Sequence, residues 1–268
     1  TGVQTCALPI LPATGRPLAS LPPVVAKLPG IRYAITSNGA AVWDLGTDPM
    51  SAVYSRYCNA AEHRTTEPVS LIARPMPAEL AREAFALYME YPGAMSVFCD
   101  GRTYRDTVAM ERFARRNARR GSTEARQPND GRFTVVRDLT EWMSRHAHEV
   151  EKFCMFFDTA EQAQAALPRF RALAGAEVVQ GSPDNIELTA QGVDKGTALL
   201  ALADLLHIPR EATVAVGDSE NDRAMLEKAG IAAVMANGMP HIQALADLVS
   251  ANDCDHDGVA ELFERLGL

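Results

Sequence analysis

The sequence predicts an α/β fold, with a doubly wound parallel (Rossmann-like) core sheet and an inserted α+β domain. Two observations carry this. From Lys195 onward, short apolar strands alternate with helices of about ten residues. Between about residues 50 and 183, the alternation gives way to longer, irregular spacings. The expected division is therefore residues 11–50 and 184–268 for the core and 51–183 for the insertion. Residues 1–10, TGVQTCALPI, have neither clear periodicity nor a helix start, and they are read as a non-native leader.

The elements follow in order. An apolar run ends at Ala13 and leads into Thr14-Gly15-Arg16-Pro17, and Leu18 to Leu28 has the spacing of a short helix. Ile31 to Ile35 and Ala40 to Trp43 read as strands around the turn Thr36-Ser37-Asn38-Gly39. In the insertion, Glu79 to Glu90 and Glu161 to Leu173 read as helices. Met95 to Cys99, Lys152 to Phe157, Glu177 to Gln180 and Asn185 to Leu188 read as strands. Lys195 to Leu206 is a helix with Leu199, Leu202, Ala203 and Leu206 on one face. The strands Thr213 to Val216, Ile231 to Met235 and Leu248 to Ser250 then alternate with helices from about Asn221, Pro240 and Gly258.

Composition narrows the class. A chain of 268 residues with 47% apolar content can bury two cores. A net charge of −8 argues against a nucleic-acid partner for the whole molecule. The Arg-rich stretch 102–126 reads as a solvated helix. Five scattered cysteines without a CxxC pair point to neither zinc nor a disulfide framework, and they suit a reduced, cytoplasmic setting. No apolar run approaches the roughly 18 residues that span a bilayer, so no membrane partner is expected. Nothing in the sequence speaks to oligomeric state.

Three places carry chemistry. In Val216-Gly217-Asp218-Ser219-Glu220-Asn221-Asp222, an apolar strand runs into a turn with clustered carboxylates and then a helix. Ligands of open α/β sheets bind beyond the carboxyl ends of strands, and an oxygen-only donor set there suits Mg²⁺. Helix capping by Ser219 and Asp222 explains the same residues, and both roles are compatible. Lys195 lies in the first turn of a helix, where the macrodipole disfavours a cation. It is either a solvated partner of the N-cap Asp194 or the partner of an anion brought from elsewhere. Thr14-Gly15-Arg16-Pro17 offers a hydroxyl and free backbone N–H groups at a strand-to-helix turn, a weak signal for a phosphate cradle.

Taken together, Ala13 through Pro17, Thr36 through Ala40, Asp184-Asn185-Ile186-Glu187, Lys195-Gly196, Gly217 through Asp222, and Asn252 through Gly258-Val259-Ala260 resemble, in order and spacing, Cof-like haloacid dehalogenase phosphatases with a type IIB cap. The resemblance covers residues 11–268. It implies that the insertion is a cap over the carboxyl ends of the core strands, and that Mg²⁺ is the cofactor. Asp218 is implied as a direct metal ligand, and Asp222 as holding a metal-bound water or an outer position. Lys195 is implied to neutralise nucleophile and phosphate, and Asn221 to orient the phosphate. Thr14, Gly15 and Arg16 are implied to bind the transferring phosphoryl group, with Asn38 and Asn237 lining the site. The implied reaction is hydrolysis of a small phosphorylated metabolite, such as a sugar phosphate, through an aspartyl-phosphate.

One piece of the family pattern has no counterpart. The family's Asp-x-Asp-Gly-Thr segment, which supplies nucleophile and acid/base, precedes the Thr-Gly-Arg block. Here thirteen residues precede Thr14 and none is acidic. The chain is accordingly expected to be an N-terminally truncated, inactive member. Asp44-Leu45-Gly46-Thr47, Asp100-Gly101 and Asp158-Thr159 lack the second acid or the position, and they are rejected as substitutes. The alternatives are a non-catalytic relative that binds a metal or ligand, and a calcium loop at Asp253-x-Asp255-x-Asp257-Gly258 with Glu264. His146 and His148 form an HxH pair without acidic or Cys partners at metal spacing, and they read as a polar helix face.

Overall fold

The computed structural model describes residues 9–26, 28, 30–46, 68–119 and 133–268. Cys6, Cys58, most of the leader and the end of the Arg-rich stretch lie outside these. Tyr33–Thr36 (β1) and Ala41–Asp44 (β2) form an antiparallel hairpin, to which Val69–Ala73 (β3) adds beside β2. Residues 10–13 run parallel to β1, through bridges Ile10–Ile31 and Ala13–Ile35. Pro9 and Pro12 have no N–H to donate, so this stretch makes isolated bridges and not a continuous ladder. The expected Leu18–Leu28 helix is a 3₁₀ turn, Leu18–Ser20, and a single helical turn, Pro23–Ala26, because Pro22 and Pro23 interrupt the hydrogen-bond series.

Gly93–Cys99 (β4), Arg102–Arg105 (β5), Phe133–Val135 (β6), Val150–Phe157 (β7), Ala176–Val179 (β8) and Asn185–Ala190 (β9) build a six-stranded sheet in the order β6-β5-β4-β7-β9-β8. Alternate residues Met95 and Val97, Phe153, Met155 and Phe157, and Ile186 and Leu188 share one buried face, as the two-residue period of a strand requires. The helices Ala78–Met89, Leu139–His146 and Ala160–Arg171 cover that face.

Val214–Gly217 (β10), Ile231–Val234 (β11) and Leu248–Val249 (β12) form a parallel sheet. Among the described residues no ladder joins it to β1–β3. The two sheets nonetheless share one apolar core, because the helix Lys195–Leu205 sets Ala198, Leu199 and Leu202 against Tyr33, Ile35 and Val42 on one side and Ala215 and Val234 on the other.

The fold is α/β, as expected, but the core is mixed, not all parallel. The domain edges also move from residues 51 and 184. β3, expected in the insertion, pairs with β2 of the core, and β9, expected in the core, pairs with β7 and β8 of the cap sheet. A strand must satisfy its backbone groups on a neighbour, and apolar alternation does not reveal which sheet supplies that neighbour.

Candidate active site

Thr14, Gly15, Lys195, Asp218, Asn221 and Asp222 line one cavity of about 380 Å³, between the segment ending at Ala13 and the strand ending at Gly217. About three quarters of the chain separates the two walls. The end of the 10–13 segment and the carboxyl end of β10 meet at this cavity, where ligands of α/β sheets bind. A second cavity of about 460 Å³ shares Lys195 and Asn221 with the first, and is walled by Asn38, Glu220 and His241 on one side and Gln164, Gln180 and Ser182 of the cap on the other.

Lys195 finds its anion in Asp222. Its Nζ donates to Asp222 Oδ1 at 2.7 Å, and both side chains are buried. Asp194 is committed elsewhere: it caps the helix through Thr197 N–H and holds Lys228 at 2.7 Å. Burial pushes the Asp194 carboxyl up, but Lys228 and the Thr197 bonds outweigh it and hold it below its ordinary value. Asp222 Oδ2 accepts the N–H groups of Asp218 at 3.1 Å and Ser219 at 3.3 Å. With both oxygens engaged, Asp222 braces the turn. Asp218 stands at the exposed mouth of the cavity. Partial burial and the neighbouring Asp222 charge raise its carboxyl above the usual range. It is one oxygen ligand fit for a hard cation, and by itself it does not complete a site. Among the described residues no three His, Cys, Asp or Glu side chains are grouped to hold a metal.

The Asp253 loop likewise forms no cage among the described residues. Asp253 Oδ1 accepts the N–H of Asp255 and faces His256 Nδ1 at 2.6 Å. Asn237, expected to line the site, braces this loop instead, its Oδ1 accepting the Cys254 N–H at 3.1 Å, and it lines neither cavity. Arg16 is exposed and also outside both linings; its backbone N–H donates to Thr14 Oγ1 at 3.1 Å. Asn221 Oδ1 accepts from Ser219 Oγ at 2.8 Å.

Ser37, Asn38 and Gly39 all take positive φ, at 53°, 59° and 98°. At Gly39 this is obligatory as well as permitted, since a Cβ there would lie 2.2 Å from Asp194 O. Ser37 and Asn38 pay a strain of about 1–3 kcal/mol each for the same region. Their side chains are held from the cap: Ser37 Oγ donates to Glu151 Oε2 at 2.7 Å, and Asn38 Nδ2 to Glu187 Oε2 at 2.7 Å. Burial raises the Glu151 carboxyl. Burial would raise Glu187 too, but the Lys152 ammonium, Asn38 and Lys195 together hold it below its ordinary value. The sequence reading assigned no role to Glu151, Lys152 or Glu187. The signal for Glu151 and Lys152 is a pair of adjacent charges inside an otherwise apolar strand, and that for Glu187 is its place in the Asp184-Asn185-Ile186-Glu187 motif.

An α/β core with a cap sheet closing over paired strand ends, and an acidic turn facing a lysine, is the arrangement of a capped hydrolase. The chain belongs to the family of haloacid dehalogenase-like hydrolases, whose model matches residues 8–263. It is similar to the phosphatase YwpJ of Bacillus subtilis, 39% identical over 40% of this chain and 37% of the relative. It is also similar to the HMP-PP phosphatase of Cronobacter sakazakii, 33% identical over 46% of each. The chain thus spans less than half the length of these curated relatives. A haloacid dehalogenase-like hydrolase from B. subtilis shares the fold with a TM-score of 0.73, at 24% identity over 97% of this chain and 88% of that one.

Proposed function

We propose that this chain is built for hydrolysis of small phosphate monoesters, sugar-phosphate-like in size and polarity, in a cytoplasmic setting. The observation that carries this is the convergence of Thr14, Gly15, Lys195, Asp218, Asn221 and Asp222 on one cavity. In this reading the Thr14 hydroxyl and the Gly15 N–H cradle the phosphoryl oxygens, and Asn221 orients them. Lys195, held by Asp222, places a fixed positive charge where negative charge develops in the transition state, without reorganisation. Mg²⁺, with Asp218 as one ligand, would add charge stabilisation on the phosphoryl oxygens. The cap closes over the site and excludes water, and the second cavity, with Gln164, Gln180, Ser182 and His241 on its walls, takes the alcohol portion.

The covalent step needs a carboxylate to attack phosphorus and release the alcohol, and water then cleaves the acyl phosphate. The Asp-x-Asp-Gly-Thr segment that would do this is absent from the 268 residues. Its place would be between the segment ending at Ala13 and β10, beside Asp218. We therefore expect the 268-residue chain to bind metal weakly and to show no turnover of p-nitrophenyl phosphate. The same chain with an Asp-x-Asp-Gly-Thr strand joined ahead of residue 9 should turn it over in Mg²⁺. Turnover by the 268-residue chain, abolished by Asp218→Ala, would show that another carboxylate attacks. Inactivity of both forms would favour the second reading, a non-catalytic relative that binds a phosphorylated ligand.

A further inference from the structure

The loops that frame the phosphate cavity are held by side chains of the cap. Lys152, in β7, is 1% exposed. Its Nζ donates to Gly15 O at 2.6 Å and to Glu187 Oε2 at 2.6 Å, and lies 4.8 Å from the centre of the Phe98 ring. The same Glu187 oxygen accepts from Asn38 Nδ2. One buried pair of the cap therefore grips two separate core loops, Thr14-Gly15-Arg16 and Ser37-Asn38-Gly39.

The grip holds an arrangement that the loops do not favour alone. Ser37 and Asn38 occupy the left-handed region that non-glycine residues avoid. Asn38 Oδ1 is buried with no partner among the described residues, and a Cβ on Gly15 would lie 2.7 Å from it. Asn38 is thus pressed against Gly15 at the expense of its own hydrogen bonding. The orientation of the cradle follows. Thr14 O accepts the Asn38 N–H at 3.2 Å, so the trans peptide turns the Gly15 N–H to the opposite side, away from Asn38.

We propose that Lys152 and Glu187 are positioning residues that clamp both loops into the geometry of the phosphate cavity, so that seating the cap and assembling the phosphate site are one event. The clamping half stands on geometry alone. The phosphate half rests on the reading of Thr14 and Gly15 given above.

Hydrogen exchange on the full 268-residue chain tests the clamp. The probes are the amides of Ser37 and Asn38, bonded to Arg16 O and Thr14 O, with β11 amides as reference. In Lys152→Met the loop amides should exchange at least tenfold faster, with β11 unchanged. Lys152→Met/Glu187→Met is the second variant, because it leaves no unpaired buried charge and keeps the fold accessible. There the β11 rates should match the unaltered chain while the loop amides stay fast. Loop rates equal to the unaltered chain in the double variant, or acceleration spread evenly to β11, would overturn the proposal. Inorganic phosphate, titrated with Mg²⁺ and followed by NMR, reads the other half, and the double variant should bind at least tenfold more weakly. Equal binding would overturn the coupling of clamp to site. No binding by the unaltered chain would count against the phosphatase reading, while the exchange rates still decide the clamp.

Discussion

Asp218 and Asp222 lie four residues apart in one acidic turn, yet removing their charges should change stability in opposite directions. Asp222 is 5% exposed and Lys195 4%. Asp222→Asn leaves the Lys195 ammonium buried without its counter-charge. Breaking one side of a buried pair typically costs about 3–5 kcal/mol. The amide cannot accept from Lys195 and from both backbone N–H groups of Asp218 and Ser219, which adds to the loss. Against a total of about 5–15 kcal/mol, even 3 kcal/mol lowers the folded-to-unfolded ratio roughly a hundredfold. Asp218 is exposed, and its raised carboxyl reports partial burial and repulsion from Asp222. Asp218→Asn should therefore be neutral or stabilising, by no more than about 1 kcal/mol at an exposed position. The assay is urea unfolding at pH 7 with chelator present, followed by tryptophan fluorescence from the buried Trp43. Changed midpoints at an unchanged slope isolate stability. A loss above about 1 kcal/mol in Asp218→Asn, or no loss in Asp222→Asn, would refute the division of a braced inner carboxylate from an exposed outer one.

Three further outcomes follow from the same structure. The two buried cap carboxylates should tilt the stability–pH curve in opposite senses. Glu151 is raised in the folded state, so its contribution is full below the ordinary carboxylate range of about 4.3 and is lost as pH rises through its folded value. Glu151→Gln should accordingly melt higher than the parent at pH 8 and match it near pH 4, and equal melting at both would sink the assignment. Glu187 is lowered, so its contribution is present above about 4.3 and lost as pH falls through its folded value. Glu187→Gln, compared by thermal melts from pH 3 to 7, should flatten that acid limb. Gly39→Ala should cost about 2 kcal/mol or more in urea unfolding, since its Cβ meets Asp194 O at 2.2 Å and its φ of 98° strains any side chain. Thiol labelling at pH 7.5, read by peptide mass spectrometry, should modify the exposed Cys254 ahead of Cys154, which burial pushes up to about 12, and ahead of the buried Cys99.

The sequence by itself determined the α/β class, the family resemblance and most of the cavity wall. Apolar periodicity is a local property, and Gly217 through Asp222, Lys195 and Thr14-Gly15 are short motifs whose chemistry is written in neighbouring residues. Even the direction of the Lys195 argument came from local physics, since a cation set against a helix dipole asks for an anion. Which anion it meets, Asp222 across 27 positions and not the adjacent Asp194, was decided by how the Lys195 helix packs on the following turn. Only the tertiary structure moved β3 into the core sheet and β9 into the cap sheet, because hydrogen-bond partners of a strand are non-local. It also took Asn237 out of the cavity and brought Glu151, Lys152 and Glu187 onto the core loops. A charge in an apolar strand shows in the sequence as an exception to the pattern. Its partner is chosen by burial, where an ion must be paired, and burial exists only once the two domains have closed on each other.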